Sequence, residues 1–299
     1  MEYQIIKQIR EHPILRKSFM DLAVEVFDLS FAQWYRQGFW TDKYIPYALI
    51  SHDRVIANAS VSIMDFSWQG VPKRYIQIGT VMTAPEYRNQ GHCARLMREI
   101  LSDWKDRCDC IYLFANDTAL EFYPQFGFVP AQEYQYTLLA PTLCPKENDF
   151  IKLDMCQEDS RAIVKHCYQK SNPFSAWTMS NNYELVMFYC GDFLKDCCWF
   201  SGPYEVYYSK KLDTVCIVAR ENEVLRCLDV FGHPNCTLTE ILSNFARPAI
   251  QSIALEFCPK QKNGCQCAPL DSEDTLFLLK GKENLFAEHK MMFPTLSHA

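Results

Sequence analysis

Val81-Met82-Thr83-Ala84-Pro85-Glu86-Tyr87-Arg88-Asn89-Gln90-Gly91-His92-Cys93-Ala94-Arg95-Leu96-Met97 is the stretch that decides the fold. An apolar run ends at Thr83, Pro85 closes it, and a lone glycine stands at 91. From Cys93 the apolar residues recur three and four apart through Met97, Ile100, Leu101 and Trp104. This predicts a strand, a tight turn and an amphipathic helix in succession. The first turn of such a helix has backbone N–H groups without partners and carries the positive end of the peptide dipoles. A diphosphate can settle there if no side chain blocks its approach. Gly91 clears that approach and permits unusual dihedrals. Arg88 and Arg95 stand where they could add charge-assisted bonds.

Upstream, residues 11–29 carry Leu15, Phe19, Leu22 and Phe27 at helical intervals. Residues 47–50 and 55–63 are apolar and β-branched, with His52-Asp53 between them, which predicts a hairpin. Gln69-Gly70 marks a second turn, and 75–83 a third strand. Downstream, Cys110–Ala115 is a short buried strand, a second helix is expected from Asp117, and Gly127-Phe128-Val129 opens another strand. The order predicts an α/β fold: a mixed, mostly antiparallel sheet flanked by helices. Pro141, Pro145 and Lys146-Glu147-Asn148 break the pattern over 140–148 and suggest a linker. The expected division is 1–143 and 149–299. The second half restarts with a helix near 159–168 and strands at 204–209, 214–219 and 224–230, turning at Asn222. Thr237-Leu238-Thr239-Glu240 is a capping box opening a helix to about Phe245. Strands at 253–257 and Thr275–Leu279 follow. This order echoes the first half without a letter-by-letter repeat.

The chain has 299 residues, 48% hydrophobic and 22% charged, as a globular protein with real cores should. Its net charge of −6 argues against a nucleic-acid partner, and the mild acidity suits a cationic acceptor. The N-terminus has no basic region followed by a long apolar run, and no stretch is long enough to span a membrane. A cytoplasmic protein is expected, its 15 cysteines reduced and mostly buried. A homo-oligomer is left open.

The quoted loop resembles the acetyl-CoA signature of the GNAT acetyltransferases, in which Arg or Gln, two residues, Gly, one residue, and Gly or Ala span the turn. Here Arg88, Gly91 and Cys93 take those places; Cys93 departs from the pattern but is small. A second stretch, Asn116-Asp117-Thr118-Ala119-Leu120-Glu121-Phe122-Tyr123-Pro124-Gln125-Phe126-Gly127-Phe128, is similar to the family's next motif. The resemblance covers about residues 76–129. It implies a GNAT fold, with acetyl-CoA as co-substrate and a primary amine of a small molecule or peptide as acceptor. The implied cofactor-binding residues are Val81, Met82, Thr83, Arg88, Asn89, Gln90, Gly91, His92, Cys93, Ala94, Asn116, Ala119 and Tyr123. By the same resemblance the main chain at Val81 and Met82 holds the acetyl carbonyl, and Tyr123 protonates the leaving thiolate. Asn116 would bond the pantetheine arm or cap the following helix. His92 is expected to lie over the cofactor or face solvent.

The base is the difficulty. An alkylamine with a pKa of about 10 is neutral only to roughly one part in a thousand at pH 7. Many family members carry Glu on the strand ahead of the loop, where this chain has Gln77. Tyr75, Glu86, water or a group from the second half could substitute. The chain also resembles a shortened member of the enhanced-intracellular-survival acetyltransferases, which pair a GNAT domain with a degenerate second one and set a C-terminal carboxylate in the active site. That resemblance puts the Ala299 carboxylate, or His298, at the site; the alternative is a tail packed on the second sheet.

Cys93 at a helix N-terminus is expected to have a lowered pKa, but no base partner for it is evident. Cys258, Cys265 and Cys267 with His233 or His289 lack a common metal spacing, and no metal site is expected. Cys197-Cys198, beside Trp199 and Phe200, reads as core. After residue 230 comes Phe231-Gly232-His233-Pro234-Asn235, without the Arg-x-x-Gly loop. The second half is therefore expected to be a GNAT-like domain shaping the acceptor pocket, with Trp177, Tyr183, Phe188, Tyr204 and Tyr207 in its lining or its core. A second function stays open, an acyl-CoA sensor or interaction module without turnover.

Overall fold

The computed structural model describes residues 3–139, 149–191, 204–245 and 247–299. The expected linker and the Cys197-Cys198 pair lie outside the described residues. The chain opens with β1 (Gln4–Lys7) and α1 (Pro13–Phe27), which buries Leu15, Phe19, Leu22 and Ala23 on one face. Pro13 sits in its first turn, and His12 Nδ1 accepts the Leu15 N–H. After the short α2 (Ala32–Arg36) come β2 (Tyr44–Ser51), β3 (Arg54–Trp68) and β4 (Val71–Thr83), an antiparallel meander. His52 and Asp53 both have positive φ, 49° and 59°, the geometry that matches the twist of a two-residue hairpin. Then follow α3 (His92–Trp104), β5 (Cys110–Ala115) and β6 (Phe128–Ala131).

The helix expected from Asp117 is instead two 3-10 turns, Asp117–Ala119 and Tyr123–Phe126. Pro124 has no N–H to give and its ring crowds the preceding turn, so an α-helix cannot run through it.

The remaining elements are β7 (Tyr134–Leu139), β8 (Ile151–Lys152), α4 (Glu158–Tyr168), β9 (Trp177–Ser180), α5 (Tyr183–Cys190), β10 (Glu205–Ser209), β11 (Thr214–Glu221) and β12 (Val224–Gly232). They are followed by α6 (Leu238–Leu242), β13 (Ser252–Leu255), β14 (Cys265–Pro269), β15 (Thr275–Leu279), α7 (Leu285–Glu288) and a last 3-10 turn, Thr295–Ser297. The capping box on α6 is present, Thr237 and Glu240 each satisfying the other's main-chain N–H.

Two sheets result. The first runs β1-β2-β3-β4-β5-β15-β6, with β9 along the far end of β3; the second runs β14-β7-β13-β12-β11-β10-β8. Both hold an antiparallel meander whose last strand pairs in parallel with the next: β2-β3-β4 then β5, and β10-β11-β12 then β13. The echo heard in the sequence is thus a repeat of strand order. The first sheet has the mixed, mostly antiparallel order expected, and the second sheet repeats its pattern. The halves also trade strands: β15 sits between β5 and β6, and β7 between β13 and β14. Trp177 belongs to the seam between them, since β9 pairs with β3 and its indole stacks on Phe66 at 4.4 Å. Among the described residues no helix is long and apolar enough to cross a membrane.

Candidate active site

β4 and β5 are parallel neighbours over only three pairs, Tyr75 with Cys110, Ile76 with Ile111 and Gln77 with Tyr112. Beyond Gln77 the two strands continue without pairing, so a fork opens between them. Just past the fork β4 carries a bulge: Ser60 faces Gly79 and Asn58 faces Met82, leaving Thr80 and Val81 opposite the single Ala59. Thr80 takes φ +48°, unusual for a β-branched residue. A buried polar network holds it there. Its hydroxyl lies 2.8 Å from the Tyr44 hydroxyl, and its carbonyl accepts from Asn58 Nδ2 at 2.9 Å. Ser60 joins the two, donating to Tyr44 at 2.9 Å and accepting from Asn58 at 2.9 Å. Sequence reading missed Tyr44, Asn58, Ser60 and Thr80. The signal available was Gly79, a lone glycine inside a strand pattern, which marks a bulge or a close backbone approach.

The quoted loop follows. Pro85–Tyr87 is a 3-10 turn, Asn89 has φ 59° and Gly91, at φ 76°, is the N-cap of α3. The first main-chain bond of α3 runs from the Arg95 N–H to the Gly91 carbonyl at 3.1 Å. The N–H groups of Gly91, His92, Cys93 and Ala94 have no acceptor among the described residues. Nothing lies within 4 Å of where a Gly91 Cβ would stand, so the chain does not crowd the turn at Gly91 itself. Arg88 and Asn89 are exposed, and Arg88 Nε donates to the Thr83 carbonyl at 3.3 Å. Gln90 Nε2 donates back to the Glu86 carbonyl at 3.2 Å, which tightens the turn. These features arise from the predicted strand, turn and helix.

Three expectations about side chains change. The His92 ring is buried edge-on against Tyr3 at 4.9 Å, so only its main-chain N–H is available to a ligand. The Cys93 thiol lies 3.0 Å from the Thr83 hydroxyl and 3.7 Å from the Met82 carbonyl; burial raises its pKa, opposite to the expected lowering. The Asn116 side chain caps no N–H: its oxygen accepts from the Thr118 hydroxyl at 2.7 Å.

Tyr123 and Ala119 come from the two 3-10 turns and join the core cluster that also holds Leu96 and Met97 of α3, the Tyr123 ring lying against Phe122, Phe128 and Phe277. Burial raises the Tyr123 phenol, reinforced by the Cys93 and Asp274 groups, so it keeps its proton at neutral pH. The alternative bases face elsewhere. The Tyr75 hydroxyl donates to Glu283 at 2.8 Å, and Glu86 is ion-paired with Arg54 at the surface, its pKa lowered.

At the apex of the fork sits Ala299. Gln77 Nε2 donates to the Ala299 main-chain oxygen at 2.8 Å, while Gln77 Oε1 accepts from the Tyr112 hydroxyl at 3.1 Å. A Cβ at Gly79 would collide with the same Ala299 oxygen. The His298 ring stacks on Phe114 at 4.0 Å, and its carbonyl accepts from the Tyr189 hydroxyl at 2.6 Å. Burial pulls the His298 ring down to about 4, so it is neutral.

The fork of the second sheet, beyond Cys227 and Leu255, is filled by the chain itself. Gly232 N–H donates to Ser171 carbonyl, Ala176 N–H to Cys258 carbonyl and Thr295 N–H to Glu256 carbonyl, at 3.1, 2.8 and 3.1 Å. Both arms there are occupied.

Residues 14–131 match the family described as acetyltransferase (GNAT) domain. No curated protein matches the sequence. Among solved structures, an Enterococcus faecalis protein described as a probable N-acyltransferase aligns with TM-score 0.58 at 15% identity, over 93% of this chain and 72% of its own. A GCN5-related N-acetyltransferase from Kribbella flavida gives TM-score 0.56 at 15% identity, over 93% and 71%. Eis1 from Mycobacterium abscessus gives 0.54 at 13% identity, over 92% and 72%. At such identities the likeness is one of fold, and it extends through both sheets. Residues 14–131 thus match a GNAT acetyltransferase domain, and the second sheet repeats the strand order of the first.

Proposed function

We propose that the protein transfers an acetyl group from acetyl-CoA directly to a primary amine of a small molecule or peptide. The observation that carries this reading is the N-terminus of α3, four unpartnered N–H groups led by an uncrowded Gly91, at the mouth of the β4–β5 fork. Donors without partners at a dipole's positive end fit a diphosphate. Acetyl-CoA laid from there into the fork brings its thioester to the bulge at Thr80–Met82. A bulge frees main-chain groups from the ladder, and such a donor stabilises the oxyanion as the amine nitrogen adds to the carbonyl carbon. The C–S bond then breaks, and the departing thiolate takes the phenolic proton of Tyr123.

The amine must lose a proton as it attacks. Gln77 cannot accept one, and we assign that role to a group at the fork's apex, where Gln77 and Gly79 seat the main chain of Ala299. The test is calorimetry with acetyl-CoA beside CoA release on a panel of amines. Gly91→Glu should weaken binding at least about tenfold, because it sets a carboxylate among the phosphate donors. Tyr123→Phe should bind equally well and turn over about a hundredfold more slowly. Identical binding by parent and Gly91→Glu would remove the basis of the reading. A second reading, an acyl-CoA sensor, draws on Gln77 standing where the family often has a carboxylate. Tight binding with no CoA release on any amine would favour it.

A further inference from the structure

We infer that His298 and Ala299 form the floor of the acyl pocket and restrict the transferred group to acetyl or a slightly longer acyl chain. The inference rests on the acetyl-CoA reading above and adds what sets its acyl specificity. The β4–β5 fork narrows to the Gln77–Tyr112 pair, and any acyl chain entering from the α3 end must extend toward that apex. The apex is filled from four sides. Gln77, its amide oriented by the Tyr112 hydroxyl, donates to Ala299 from below. Gly79 has given up its side chain to the Ala299 oxygen on the β4 arm. Phe114, on the β5 arm, is covered by the His298 ring. Tyr189, from α5 of the other half, bonds the His298 carbonyl and keeps the segment from swinging out.

These contacts come from three separate elements, β4, β5 and α5, and converge on two residues. A tail merely covering a sheet would need neither a missing Cβ beneath it nor an amide held at both ends. The acyl carbonyl belongs at Thr80–Met82, and Ala299 meets β4 at Gly79, one residue nearer the apex. Methylenes added to an acetyl group therefore run into the Ala299 main chain. A close-packed floor rejects added methylenes steeply.

The experiment compares binding of CoA, acetyl-CoA, butyryl-CoA and hexanoyl-CoA by calorimetry without amine. The proteins are the parent, a chain ending at Ser297, and His298→Ala, each first shown to melt cooperatively. The parent should bind hexanoyl-CoA at least about tenfold more weakly than acetyl-CoA. The shortened chain should bring the two within about twofold, and His298→Ala, which uncovers Phe114 while keeping the main chain, should fall between. Equal affinity of the parent for both thioesters would overturn the inference, as would an undiminished hexanoyl penalty in both variants. Should the parent bind CoA and all its thioesters alike, the floor alone is wrong; should it bind none of them, the acetyl-CoA reading fails and takes the floor with it.

Discussion

Glu133 is the residue whose chemistry the fold treats least kindly. It is buried at the seam, where its carboxylate accepts the Phe293 N–H at 2.7 Å. Burial raises its pKa to about 7, the nearby Glu256 adds to the rise, and the Phe293 bond offsets part of it. Glu256 has better company: Arg226 Nε at 2.8 Å and the Thr295 hydroxyl at 2.6 Å. The sign follows from linkage. Below the ordinary carboxylate value both states hold the proton and nothing is lost. Between there and about 7 the unfolded chain releases it while the folded chain keeps it, so stability falls as pH rises; above that the cost is constant. Glu133→Gln can still accept the Phe293 N–H but has no proton to manage. Its urea midpoint should match the parent near pH 4 and correspond to about 1–3 kcal/mol more stability at pH 8. Buried Asp229, also raised to about 7, stays in both proteins and cancels in the difference. An equal gain at both pH values would mean that packing, not ionisation, is responsible.

At the scale of elements, the segments that decide themselves locally were legible. The hairpin at His52-Asp53, the turn before α3, β5 to the residue, and the capping box on α6 all rest on neighbours in sequence. What could not be read was set by distant groups. The bulge in β4 depends on Thr80 adopting a φ that its own side chain disfavours, whereas the helix expected from Asp117 failed on a local signal, Pro124, that was there to be read. Bonds from Tyr44 on β2 and Asn58 on β3 reach across to hold Thr80. In the same way Gln77 read as a missing base, because its partners Tyr112 and Ala299 lie far off in the chain. Tyr44→Phe tests the bulge. It strands the Ser60 and Thr80 hydroxyls in a buried site, so it should cost about 1–3 kcal/mol in denaturant melts. It should also slow CoA release more than it weakens acetyl-CoA binding, since the diphosphate site proposed at α3 is untouched. Loss of binding in proportion to turnover would show that the bulge does not act on the thioester.

At the scale of the whole molecule, the exchange of strands decides what can fold. β15 hydrogen-bonds β5 on one side and β6 on the other, through Phe277 opposite Leu113 and Pro130; without it the first sheet has an open edge on β5 and a stray β6. β7 does the same service between β13 and β14. Composition gave no hint of this, because Tyr134–Leu139 and Thr275–Leu279 look like ordinary strands and pairing partners are not written locally. The tail adds a second tie, running from Thr295 on Glu256 in one sheet to Ala299 on Gln77 in the other. A fragment of residues 1–143 therefore lacks the strand that closes its sheet and the floor of its fork, and exposes strand edges that favour aggregation. Expressed alone it should show no cooperative thermal transition and no heat of mixing with acetyl-CoA. Expressed together with 149–299 it should recover both, since each fragment carries the strand the other needs. A fragment 1–143 that melts cooperatively and binds acetyl-CoA by itself would mean that the exchange is incidental and the first half is an independent domain.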